Sequence, residues 1–139
     1  MAQRLFSLTS TYDEVSGVNI QIHEYLKSIN VEELLCNAVE LCLTEALNNV
    51  IKHAYRGEQN HNINVNVCVD ESLMEIQVID EGIPRESLVI KELDFDPNDI
   101  DNLPEGGMGL FIIKQLMDEL DYYTLNGKNY FTLRKYLLS

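Results

Sequence analysis

Glu45-Ala46-Leu47-Asn48-Asn49-Val50-Ile51-Lys52-His53-Ala54 lies in one of the most apolar parts of the chain, yet it places Glu45, Asn49 and His53 in steps of four residues. Residues 31 to 55 read as one long helix. Leu35, Val39, Cys42, Leu43, Ala46, Leu47, Val50 and Ala54 cover so wide an arc that this helix must be largely buried. At about 100° per residue, Glu45, Asn49 and His53 form one row, and Asn49 and His53 fall inside the arc of Ala38, Cys42 and Ala46. Burying an amide or a carboxylate without partners is costly, so the row asks for a ligand, a metal or a hydrogen-bonding neighbour. A helix edge or a satisfied core amide would show the same row, so it decides nothing alone.

Working outward, residues 3 to 9 alternate weakly and suit an edge strand, and Val15, Val18, Ile22, Tyr25, Leu26 and Ile29 give residues 13 to 29 the period of an amphipathic helix. Beyond the long helix the period switches to two. Ile63, Val65, Val67 and Val69 alternate with polar residues, and after Asp70-Glu71-Ser72 the series Met74, Ile76, Val78 resumes, which predicts a hairpin. Residues 84 to 105 carry Pro84, Pro97 and Pro104 with little periodicity and read as a long excursion, with a short helix at 86 to 92. A third helix is expected from Gly109 to Glu119, then strands at 121 to 126 and 129 to 138 joined at Asn126-Gly127, a tight-turn signal. No repeat or linker divides residues 1 to 139. The predicted fold is a single α+β domain, a two-layer sandwich whose mixed, mostly antiparallel sheet carries helices on one face.

The 139 residues carry a formal charge of −13, and residues 70 to 121 alone hold 15 acids against Arg85, Lys91 and Lys114. Such a surface repels phosphate backbones and anionic lipid, which speaks against direct nucleic-acid or membrane binding. Cys36, Cys42 and Cys68 sit in apolar surroundings without metal-type spacing, and no apolar run approaches ~18 residues. A cytoplasmic location is expected.

Two further features bear on the row. Strand parity that points Met74, Ile76 and Val78 inward also points Asp80 inward, followed by Glu81-Gly82, where a glycine lets the backbone approach closely. Glu105-Gly106-Gly107-Met108-Gly109-Leu110 opens an apolar helix, offering free backbone N–H groups at the positive end of its dipole. Singly, these are also what a common turn and a flexible hinge look like.

Together, and in this order, they resemble the N, G1 and G2 boxes of the Bergerat-fold ATP-binding superfamily, over roughly residues 10 to 138. The His53-Ala54-Tyr55 ending and the Glu-Gly-Gly-Met-Gly-Leu form look most like the anti-sigma factor serine/threonine protein kinases of bacterial partner-switching systems. The resemblance implies that Glu45 is the general base for the attacking hydroxyl, and that Asn49 coordinates Mg²⁺ between the phosphates of ATP or ADP. It implies that Asp80, with Gly82 beside it, accepts the adenine amino group. The segment Gly107-Met108-Gly109-Leu110 would bind the nucleotide, with Gly107 and Gly109 giving N–H groups to the phosphates. Thr132 would lie near adenine, and residues 84 to 105 would form the ATP lid. Partners implied are a STAS-type anti-sigma factor antagonist as substrate and a sigma factor or other regulatory protein, with a homodimer through the N-terminal part. Lys52 and His53 receive no role. The lid holds only Arg85 and Lys91 to meet the γ-phosphate. The alternative is therefore a nucleotide-dependent module that sequesters a partner without useful phosphoryl transfer. Acids at the nucleotide mouth would serve to meet basic residues of a partner.

Overall fold

Strand parity and one tight turn fix most of the architecture. The structure, a computed structural model, describes residues 1–85 and 107–137. The expected short helix at 86 to 92, and all of the expected lid beyond Pro84 and Arg85, lie outside the described residues. In chain order the elements are β1 (Ala2–Thr9), α1 (Tyr12–Ser28), α2 (Glu33–Asn49), a π-helical turn (Val50–Ala54), β2 (Asn62–Val69), β3 (Leu73–Asp80), α3 (Gly107–Leu116), β4 (Glu119–Leu125) and β5 (Lys128–Tyr136). They build a five-stranded sheet in the order β1-β2-β3-β5-β4. Where a mixed, mostly antiparallel sheet was expected, all of its pairings are antiparallel. The three helices cover one face, with α2 packed between α1 and α3.

On β2 and β3 the alternation holds as read: Ile63, Val65, Val67, Met74, Ile76 and Val78 are buried against the helices, and Asp80 follows them inward. β1 becomes intelligible once paired with β2, because Phe6 and Leu8 enter the core while Leu5 stays exposed on the other face. Asn126 and Gly127 have φ of 53° and 79°. Left-handed backbone at both positions is the two-residue hairpin turn whose twist matches the flanking strands. The turn sets Asn129 opposite Asp80, Phe131 opposite Val78, Thr132 opposite Gln77 and Leu133 opposite Ile76.

α3 begins at Gly107 and ends at Leu116, two residues earlier at its start than expected and three earlier at its end, where Glu119 already opens β4. Glu33–Ala54 is 22 residues with a mean hydropathy of 1.2, enough by length and composition to cross a membrane, yet half of its most apolar stretch is buried within the fold, as in a core helix. Cys42 belongs to that buried side, and burial pushes its thiol up to about 12, so it packs as a small apolar group.

Candidate functional site

Asp80 ends β3 on the inward parity and is only 4% exposed. Its Oδ1 accepts the Gly82 N–H at 2.9 Å and the Asn129 amide Nδ2 at 2.7 Å. Asn129, 1% exposed, also donates to the Gly82 carbonyl at 3.0 Å and accepts from the Thr124 hydroxyl at 2.8 Å. Burial pushes the Asp80 carboxyl above its ordinary range and the Glu81 charge adds to this, while the bonds from Asn129 and Gly82 pull it back.

The loop after Asp80 is held by the end of the π-helical turn. A Cβ on Gly82 would stand 2.7 Å from the Ala54 carbonyl carbon and 2.9 Å from the Ala54 Cβ, so this approach admits glycine alone. Ile83 N–H donates to the Ala54 carbonyl at 2.9 Å. The buried Tyr55 hydroxyl accepts the Glu81 N–H at 2.8 Å and donates to the Asn62 carbonyl at 2.7 Å, tying the loop to the start of β2. The apparent packing residues Ala54 and Tyr55 thus shape the site.

Asp80 and Asn49 line one small cavity with Ala46, Val50, Ala54, Arg85, Tyr122 and Phe131. The Asn49 Nδ2 is buried and has no hydrogen-bond partner among the described residues. That is the polar group on the buried arc of α2 that required a ligand or neighbour, and no described neighbour supplies the bond. Glu45, one turn earlier and half-buried, meets α3: a Cβ on Gly109 would lie 2.6 Å from the Glu45 Oε2. The first turn of α3, containing Gly107, Met108 and Gly109, is thereby set against the Glu45 carboxylate, and a helix's first N–H groups have no partner within the helix. The Leu110 side chain is fully buried in the core, so any contact it makes with a ligand passes through its backbone. Tyr122 closes one side of the cavity, its hydroxyl accepting the Arg85 N–H at 2.9 Å.

Glu45, Asn49, Asp80, Gly82 and Gly109 are therefore gathered around the C-terminal end of α2. Thr132 is not. The register places it beside Gln77 on the sheet face away from the helices, where its hydroxyl accepts the Gln77 amide at 3.1 Å. The inward residue of β5 at the level of Asp80 is Asn129, missed from sequence. Counting by twos from the Asn126-Gly127 turn through Phe131 and Leu133 would have found it. His53 lies within the π-helical turn, whose wider winding breaks the row begun by Glu45 and Asn49, and Lys52 is exposed.

Residues 8–135 match the model of the histidine kinase-like ATPase domain. The chain belongs to the histidine kinase-like ATPase family. Among its relatives, the serine-protein kinase RsbW of Staphylococcus aureus (strain MSSA476) is 37% identical over 92 residues, covering 63% of this chain and 58% of that protein. RsbW of Listeria monocytogenes serovar 1/2a is 32% identical over 93 residues, 64% of this chain and 59% of that protein. The chain thus spans less than two thirds of the length of the curated relatives it matches. Within the structure of the RsbU and RsbW domains of Rv1364c from Mycobacterium tuberculosis, a part amounting to 32% of that chain shares the fold over 97% of this one, with a TM-score of 0.68 at 18% identity. SiaB in the SiaB-SiaC complex from Pseudomonas aeruginosa shares it with a TM-score of 0.61 at 17% identity, over 96% and 89% of the two chains. For a histidine kinase-like ATPase, an Asn49 amide whose oxygen can serve a hard cation and whose N–H is without a partner among the described residues, the buried Asp80 and the glycine-opened α3 are features that suit a Mg²⁺-bound nucleotide.

Proposed function

We propose that this domain is a cytoplasmic anti-sigma regulatory factor that binds ATP with Mg²⁺ and phosphorylates a serine or threonine of a small STAS-type antagonist protein. The observation that carries this reading is the convergence of Asn49, with its buried partnerless amide, on the same cavity as Asp80, while Glu45 faces the first turn of α3. The RsbW relatives, named as serine-protein kinases, support it.

In this reading Asp80 accepts a hydrogen bond from the adenine amino group, and Gly82 leaves room for the loop beside it. Asn49 holds Mg²⁺ through its side-chain oxygen, and the ion supplies neutralisation of phosphate charge. Backbone N–H groups of Gly107 and Gly109 receive the phosphates. Glu45 takes the proton of the acceptor hydroxyl as the hydroxyl oxygen bonds to the γ-phosphorus and the bond from that phosphorus to the β-bridging oxygen breaks, releasing ADP. Sigma-factor binding in one nucleotide state, and a homodimer through the N-terminal part, complete the proposal. A second reading, partner sequestration without transfer, draws on charge: among the described residues lining the cavity, Arg85 is the sole cation.

Glu45→Ala separates the two. Retained ATP affinity with lost transfer of labelled phosphate to the STAS-type protein of the same genome supports the kinase. Undiminished transfer would remove Glu45 as base, and a wild-type chain that binds the STAS-type protein in a nucleotide-dependent way without labelling it would favour sequestration.

A further inference from the structure

Asn129 has no freedom left in its hydrogen bonding. Its Nδ2 donates to Asp80 Oδ1 and to the Gly82 carbonyl, and its Oδ1 accepts from Thr124. Turning the amide over would set an oxygen against a carboxylate and a carbonyl, so the surroundings fix its orientation. Among the described residues, both donors to Asp80 fall on Oδ1, which leaves Oδ2 for a ligand. We propose that Asn129 is a positioning residue that, through Asp80, makes the site selective for six-amino over six-oxo purine nucleotides. This deepens the ATP-binding reading and rests on it.

An ionised carboxylate only accepts hydrogen bonds. It welcomes the amino group of an adenine-type base and repels the oxygen that replaces it in a hypoxanthine-type base. A protonated carboxyl can donate, and the preference fades. Burial pushes Asp80 toward the protonated form, and the Asn129 bond is the largest influence opposing it. Among the described residues, the charged or titratable groups facing Asp80 are Glu81 on its own loop, Tyr55 after the π-helical turn, Tyr122 on β4 and Arg85 across the cavity. β2 presents Ile63 opposite it, and α2 presents the neutral Asn49 to the same cavity. Asn129 therefore sets both the direction of Oδ2 and the pH range over which it remains an acceptor.

The test is the dissociation constant for ATP and for ITP, which carry a six-amino group beside a bare N1 and a six-oxo group beside an N1–H respectively, measured with Mg²⁺ from about pH 5 to 8. Wild type should prefer ATP by roughly 100-fold at neutral pH, the size expected when a buried acceptor loses its donor. Asn129→Val should cut that preference to below roughly tenfold and raise the pH at which it disappears, while Asn129→Thr, retaining one donor, should recover part of it. Mere loosening of the fold would weaken both nucleotides together and leave the ratio unchanged. A folded Asn129→Val with the wild-type ratio and pH profile overturns the inference. Should that variant fail to fold, Asn129→Asp, which keeps the side-chain shape and removes the donor to Asp80, must lower the ratio or the inference falls. Wild type that binds neither nucleotide defeats the underlying ATP reading, whereas equal binding of both defeats only this one.

Discussion

Gly109→Ala should separate stability from activity, because the side chain it would strike is the movable end of Glu45. The added Cβ would lie 2.6 Å from the Glu45 Oε2 and 3.4 Å from its Cβ and Cδ. The two carbons are already at ordinary contact distance, so the carboxylate oxygen alone must retreat, by about 0.8 Å. A glutamate end can do this by rotation at little cost, and alanine is a better helix residue than glycine by up to ~1 kcal/mol. The melting temperature should therefore hold or rise by a few degrees. A displacement of that size at a general base costs on the order of 100-fold in rate. Phosphoryl transfer under single-turnover conditions should fall by about that factor, with ATP affinity largely kept because the backbone N–H remains. Glu45→Asp in the Gly109→Ala background, one methylene shorter, should show strong non-additivity with the parent variants, as residues in contact do. Full transfer activity in a folded Gly109→Ala would show that the contact has no bearing on catalysis. A large fall in melting temperature would show instead that Glu45 is not free to move.

At Gly82 the same substitution meets backbone and Ala54 Cβ at 2.7 and 2.9 Å, neither of which can rotate away, so Gly82→Ala should lose about 1–3 kcal/mol in denaturant unfolding; an unchanged midpoint contradicts it. Asn49→Ala removes a buried donor that has no partner among the described residues, so stability should stay level or rise while Mg²⁺-dependent ATP affinity, by titration, drops at least roughly tenfold. For Asp80, burial holds the folded carboxyl above the ordinary 3.8, so the folded chain binds that proton more tightly than the unfolded chain does. The cost of its charge is absent below that ordinary value and is imposed as pH rises through the folded value. Asp80→Asn should thus be more stable than wild type at neutral pH, and the gap should close on acidification; a gap that widens toward acid has the wrong sign. Tyr55→Phe keeps the packing but strips the hydroxyl from the Glu81 N–H and the Asn62 carbonyl, costing about 1–3 kcal/mol in unfolding experiments and weakening nucleotide binding through the released loop.

Most of the fold was legible because it rests on periodicities with few competitors. The β2–β3 hairpin, the inward turn of Asp80 and the Asn126-Gly127 turn follow from alternation and from left-handed backbone that Asn and Gly tolerate. The π-helical turn was not legible: Val50-Ile51-Lys52-His53-Ala54 continues an apolar helix pattern without a break, and only the packing of Ala54 and Tyr55 against residues 81–83 reveals what the wider turn positions. Thr132, which the resemblance sets near adenine, is sent by strand parity to the face with Gln77, a placement that follows from counting along β5 from the Asn126-Gly127 turn.

The contrast between Thr132 and Asn49 carries a more general lesson about this site. Both are polar and withdrawn from solvent, but Thr132 has its bond to Gln77 and so explains itself structurally, whereas Asn49 keeps a buried donor with none among the described residues. Asp80 is a carboxylate where alternation calls for an apolar residue, and Gly109 is a glycine in the first turn of a helix that alanine would stabilise. Each departure is a local loss of stability that packing alone would not retain, and all of them fall at the C-terminal end of α2, two on one cavity and the third against Glu45. Under the proposed nucleotide-binding reading one ligand would compensate all three, bonding to Asn49, taking the direction set by Asp80 and using the space beside Glu45 that a side chain at Gly109 would fill.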